Sequence, residues 1–130
     1  MNPHEEHFAR SFILPEKRAR YLSLLESKRG RKKLLDGLNH CHDLDERYAQ
    51  LIPAGQQNAQ AIEKVLKRKG APEQCYVMSD DVDIDGKEML LREALLKVVG
   101  SNMGTVISCV AGKLAYFEFE DMGERYLLER

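Results

Sequence analysis

Tryptophan is absent from this 130-residue chain, and aromatic residues make up only 7% of it. Proteins that hold unpaired bases need several exposed rings, so a base-stacking platform is not expected. Long apolar runs are missing too. None approaches the roughly 18 residues that span a bilayer, and no membrane segment is expected. The first residues, MNPHEEHFAR, carry acids and histidines where a secretory signal needs a basic start and an apolar stretch. Cysteine is scarce and odd in number, three in all, which argues against a disulfide framework. These shortages predict a soluble cytoplasmic protein with reduced thiols. The motif inventory is equally thin: GxGxxG, Walker, GxSxG, HExxH and zinc-finger spacings do not occur. No cofactor is expected.

What is present is the composition of a globular chain, 43% hydrophobic and 32% charged. One domain over residues 1–130 is expected from the length. The net charge of −1 hides an asymmetry: residues 1–70 carry a balance of +5 and residues 71–130 one of −6. A molecule polarised in this way steers oppositely charged partners to its two ends, or a second copy head to tail.

Along the chain, residues 1–14 show no clear period and are read as a partly ordered arm. Residues 15–70 form a helical half. Pro15 and Glu16 suit a helix start, and Tyr21, Leu22 and Leu25 follow at helical spacing. Gly30 interrupts the pattern before Leu34, Leu35 and Leu38 resume it. Asp43 and Glu46 have the spacing of a capping box and predict a short helix over 44–51. Ala59, Ile62, Val65 and Leu66 make a stripe that Gly70 stops.

Residues 71–130 form a sheet-rich half. Cys75 to Met78 read as a strand, 87–99 as a helix, and 105–110, 113–120 and 125–129 as strands. In the penultimate strand Ala115, Phe117 and Phe119 share one face, while Tyr116, Glu118 and Glu120 share the other. Helices first, then strand–helix–strand–strand–strand, predict an α+β domain with a mixed, mostly antiparallel sheet and helices packed on one face. The strand–helix–strand step predicts one parallel pairing.

Four segments carry candidate chemistry. Lys17, Arg18, Arg20, Lys28, Arg29, Arg31, Lys32 and Lys33 fall within 17 residues and form a candidate phosphate-contacting surface. Lys64, Lys67, Arg68 and Lys69 would extend it if their helix is a neighbour. His40, Cys41 and His42, followed by Asp43, are metal-ligating residue types. Adjacent side chains diverge by about 100° on a helix, however, so all four cannot converge there. Cys41 is also a candidate nucleophile beside an imidazole. Asp81, Asp83, Asp85 and Gly86 match the first half of a calcium-binding EF-hand loop, but Arg92 stands where the bidentate Glu belongs. A solvated turn that caps the next helix is the plainer expectation. Gly100–Gly104 follows a helix C-terminus and has the wrong polarity for a phosphate cradle.

The leading expectation is a non-enzymatic interaction module that acts through protein–protein contacts. Its surface would be the acidic strand face of Tyr116, Glu118, Glu120, Asp121 and Glu124, which favours a basic protein partner. A homodimer through an exposed sheet edge at 125–129 is a second possibility. The alternative is nucleic-acid binding through the basic helices at 17–33. The third is a metal-dependent or thiol enzyme built on 40–43.

Overall fold

A computed structural model describes residues 1–121 and 123–130. Among these the chain is α+β. Its helices are α1 (Pro3–Phe12), α2 (Arg18–Leu24), α3 (Lys28–Leu38), α4 (Ala59–Arg68) and α5 (Leu91–Val98). Its strands are β1 (Ala49–Leu51), β2 (Gln74–Ser79), β3 (Glu88–Leu90), β4 (Thr105–Val110), β5 (Leu114–Glu118) and β6 (Arg125–Glu129). They form one sheet in the order β1-β6-β5-β4-β2-β3, with every pairing antiparallel.

The expected parallel step is therefore corrected. β2 meets β4 antiparallel, Val77 opposite Ile107. The cause is β3. Residues 88–90, expected at the start of a helix, turn back along β2 with Leu90 opposite Gln74. This extra traverse starts α5 at the far end of the sheet. The helix then returns the chain to the Ser79 end, and β4 must run down against β2.

The expectation that helices cover one face is also corrected. Period-two alternation sends successive strand residues to opposite faces, and both faces are covered. Phe8, Phe12, Tyr21, Leu34, Leu35 and Leu38 from α1–α3 pack with Tyr76, Met78, Val106, Ala115, Phe117 and Leu128. Ile62 and Leu66 of α4 and Leu91, Ala94, Leu95 and Val98 of α5 pack with Cys75, Val77, Ile107, Leu114, Tyr116 and Leu127. The helices carry too many apolar stripes for one side of a six-stranded sheet, so they divide between the two.

Most of the segment expected to be a partly ordered arm is a capped helix. Asn2 accepts hydrogen bonds from the backbone N–H groups of His4 and Glu5, Pro3 occupies the first turn, and Glu5 and Glu6 face the positive end of the dipole. Its residues Phe8, Ala9 and Phe12 are buried. The helix expected at 44–51 is replaced by a 3-10 turn over Glu46–Tyr48, capped by Asp45, and then by β1. Asp43 is engaged elsewhere, because it accepts the Tyr21 hydroxyl at 2.8 Å.

Two glycines set close approaches. A Cβ at Gly30 would lie 2.3 Å from the Leu24 carbonyl oxygen, so α3 runs through this residue while packing against the end of α2. A Cβ at Gly104 would lie 2.6 Å from the Leu38 carbonyl carbon, where the chain entering β4 passes beneath the end of α3.

Candidate interaction groove

β5 and β6 leave one end of the sheet beside the segment that follows α3, and the residues there enclose a groove. Phe119 extends the Ala115–Phe117 side of β5, and its ring lies 6.5 Å from that of Tyr126 on β6. Leu44, Ala49 and Leu51, from the turn and strand after α3, complete an apolar floor, while His42, Glu46, Asp121 and Glu124 stand around it; the cavity measures 650 Å³. A second depression of 420 Å³ shares His42, Phe119 and Asp121 and adds Asn39, His40 and Glu120.

The rim is dominated by carboxylates. Glu46, Glu120 and Asp121 are exposed, and Glu124 is half-buried. A hydrogen bond that the protonated Glu124 carboxyl donates to the Asp121 carboxylate raises Glu124 above the usual range, and partial burial adds to the effect. Tyr126 donates to Glu124 at 3.5 Å. His42 presents its ring edge-on to Phe119, with centroids 6.4 Å apart. His40 Nδ1 lies 3.4 Å from Glu120.

Of the five residues expected on an acidic face, Glu120, Asp121 and Glu124 reach this rim. Tyr116 and Glu118 do not, because both are completely buried. Their strand face is covered by α4 and α5, and the loop after α5 closes over Glu118. The Glu118 carboxylate accepts from the backbone N–H groups of Gly100 (3.1 Å) and Asn102 (2.7 Å), from the Tyr116 hydroxyl (2.7 Å) and from Arg125 Nε (3.2 Å). A buried charge is tolerable only when surrounded by donors in this way.

Sequence reasoning missed the role of Arg125 and Gln57. Arg125 donates onward to Gln57, and Gln57 donates to the carbonyls of Ile52 (2.9 Å) and Gly123 (2.7 Å). This chain of bonds fixes the turn that carries Asp121 and Glu124 against the exit of β1. The local signal was Arg125, seven residues after an acid on a strand followed by a turn, which places the pair directly opposite each other in a hairpin.

The structure sorts the eight basic residues. Arg18 donates to the Ile13 carbonyl and to Asp45. Arg31 makes two-pronged contacts with both Glu5 and Asp85, and Tyr76 also donates its hydroxyl to Glu5. These two arginines tie elements together. Lys17, Arg20, Lys28, Arg29, Lys32 and Lys33 are exposed on α2 and α3 or beside them. The α4 cations do not extend this surface, because α4 packs on the other face of the sheet.

The metal-ligating candidates are dispersed. Cys41 is buried in the groove floor, 3.8 Å from the Tyr21 hydroxyl, and its thiol is pushed up by burial. His40 and His42 are exposed on either side of it. In the acidic loop, Asp81 accepts from the Asp83 backbone N–H and Asp85 from that of Ser79. Asp83 is exposed, and Ile84 plugs the core. The loop leads into β3, so it caps no helix. Among the described residues no three His, Cys, Asp or Glu side chains converge on a common point. The strand at 125–129 is not an edge either: β1 covers it, and β1 and β3 are the outer strands.

Among the described residues no helix is long and apolar enough to cross a membrane. Comparison with protein-family models, with curated proteins and with solved structures finds no match to this chain.

Proposed function

We propose that this protein is a cytoplasmic, non-enzymatic interaction module whose groove between the end of α3 and the β5–β6 turn receives a cationic segment of a partner protein. The observation that carries this is the pairing of an aromatic and aliphatic floor with a rim of Glu46, Glu120, Asp121 and Glu124. Such a groove suits a segment with one apolar anchor flanked by Lys or Arg. The anchor supplies desolvated contact area, and the carboxylates supply steering and register. Burial of Cys41 supports a binding role over a thiol-based one, since the raised thiol is a poor nucleophile.

The test uses two labelled peptides of equal length, one alternating Lys with a central Phe and one alternating Glu with the same Phe. Anisotropy should show binding of the Lys peptide, weakening with salt, and none of the Glu peptide. Asp121→Lys combined with Glu124→Lys should weaken the Lys peptide by about tenfold or more. Equal binding of both peptides, or no effect of the double change, would defeat the proposal.

A further inference from the structure

We infer that the outer surface of α2 and the N-terminal half of α3 is a second binding face, built for the phosphate backbone of a nucleic-acid duplex. Six cations lie on it or at its edge, all exposed, and among the described residues none of the six is in an ion pair. The two arginines of the same cluster that do meet carboxylates, Arg18 and Arg31, are the ones turned toward the protein. The sorting leaves the six outward cations without ion-pair partners and in excess over the exposed carboxylates of the same segment, Glu16, Glu26 and Asp36.

On α3, Lys28, Arg29, Lys32 and Lys33 recur at spacings of three and four, so they share one stripe. Leu34, Leu35 and Leu38 lie on the buried side of the same helix. Asp36 is the acid that bounds the stripe toward the C-terminus. Lys17 and Arg20 add charge from the α2 side. The two helices are held in close contact at Gly30, whose missing Cβ lets the Leu24 backbone approach. The charges therefore sit on a stiff helical hairpin, which lowers the entropy lost on binding.

The neighbouring chemistry selects the partner. Tyr21, the aromatic residue of α2, is buried beneath the helices. The face therefore offers cations without rings, the pattern for sequence-independent contact with phosphates rather than for stacking on bases. Lys and Arg neighbours about 5–6 Å apart on a helix face a duplex whose charges recur about every 3.4 Å along each strand, so each long side chain can find its own phosphate. The acidic groove lies beyond the other end of α3, so both faces can be occupied together.

The experiment is anisotropy of a labelled random-sequence duplex with the full chain across a salt series. Four to six phosphate contacts predict a log–log slope of about −4 to −5. Arg29→Gln, Lys32→Gln and Lys33→Gln together should bring the slope to about −2, with the melting temperature little changed because the sites are exposed. Lys64→Gln with Arg68→Gln, on the opposite face, should leave it unchanged. Polyglutamate and vesicles containing phosphatidylserine serve as alternative polyanions and should bind far more weakly than the duplex. No duplex binding at the lowest salt, an unchanged slope in the triple variant, an equal loss in the opposite-face control, or equal binding of polyglutamate or vesicles would each overturn the inference.

Discussion

Replacing Arg31 by Gln should destabilise the fold strongly, while the same change at its neighbour Lys32 should not. The guanidinium bridges three elements. Its Nε and Nη2 donate to Glu5 on α1 at 2.9 and 2.7 Å, and its Nη1 and Nη2 donate to Asp85 in the loop after β2 at 2.6 and 2.8 Å. The Glu5 side chain is only 6% exposed, so loss of Arg31 leaves a carboxylate with no counter-charge in the interior. Breaking a buried pair costs about 3–5 kcal/mol, and the 24% exposure of Arg31 places this case at the low end, about 3 kcal/mol. For a domain of this size that corresponds to a melting temperature lower by about 10–15 °C. Lys32→Gln and Lys33→Gln, both exposed, should stay within about 0.5 kcal/mol of the parent. Glu5→Gln combined with Arg31→Gln should cost less than the sum of the two, since the stranded charge is gone. Urea titration followed by circular dichroism measures these variants together with Glu5→Gln alone. If Arg31→Gln melts with Lys32→Gln, the guanidinium does not hold α1 to the sheet, and the division of the basic cluster into inward and outward residues fails.

Other consequences follow from single sites. Gly37→Ala should stabilise by about 0.5–1 kcal/mol, because nothing lies within 4 Å of the added methyl on a helix. Gly30→Ala on the same helix should instead cost about 1–3 kcal/mol through its clash with Leu24, and thermal melts give the two signs directly. Burial holds His4 below its ordinary value of 6.5, against the opposing charge of Glu88. The unfolded chain therefore takes up this proton first, and stability should fall as pH drops from about 6.5 toward the lower folded value. Replacing His4 by Gln should remove that slope from a series of urea midpoints; an unchanged slope would place its origin elsewhere. The three thiols should resist a disulfide reagent at pH about 8 until the protein unfolds. Cys75 is pushed to about 12 by burial, and Cys41 and Cys109 are raised by the same cause. Rapid labelling of any one in the folded state would contradict the packing described.

Much of the fold was legible in residue patterns. The stripes Leu34–Leu35–Leu38, Ile62–Leu66 and Leu91–Ala94–Leu95–Val98 gave α3, α4 and α5, and the alternation over 115–119 gave the two sides of β5 correctly. That alternation does not say what covers each side. Glu118 and Glu120 look alike in sequence, yet one is enclosed by the Gly100–Asn102 loop and Arg125 while the other is in solvent. The difference arises from tertiary contacts 16 to 18 residues away. β1 and β3, three residues each, are too short to show a period and exist because a neighbouring strand offers hydrogen bonds. α1 was readable in principle from Asn2-Pro3 and the acids behind them. Its apolar residues at 8, 9 and 12 are too few for periodicity to speak alone.

The groove was half legible. Glu120, Asp121 and Glu124 were visible as an acidic run, and His42 stood out for a different reason. The antiparallel pairing of β1 with β6, together with the bond from the Glu120 N–H to the Asn39 carbonyl, brings His42, Glu46 and the β5–β6 turn around one floor.

The most direct test of the interaction role is a two-dimensional amide NMR titration of the whole chain with the Lys–Phe peptide. Shifts confined to residues 40–51 and 119–126, saturating with peptide and abolished by Asp121→Lys with Glu124→Lys, are the predicted result. Shifts scattered over the surface, concentrated where Ile52 and Pro53 face Ala61 and Val65 of α4 across a separate cavity, or absent at saturating peptide would contradict it.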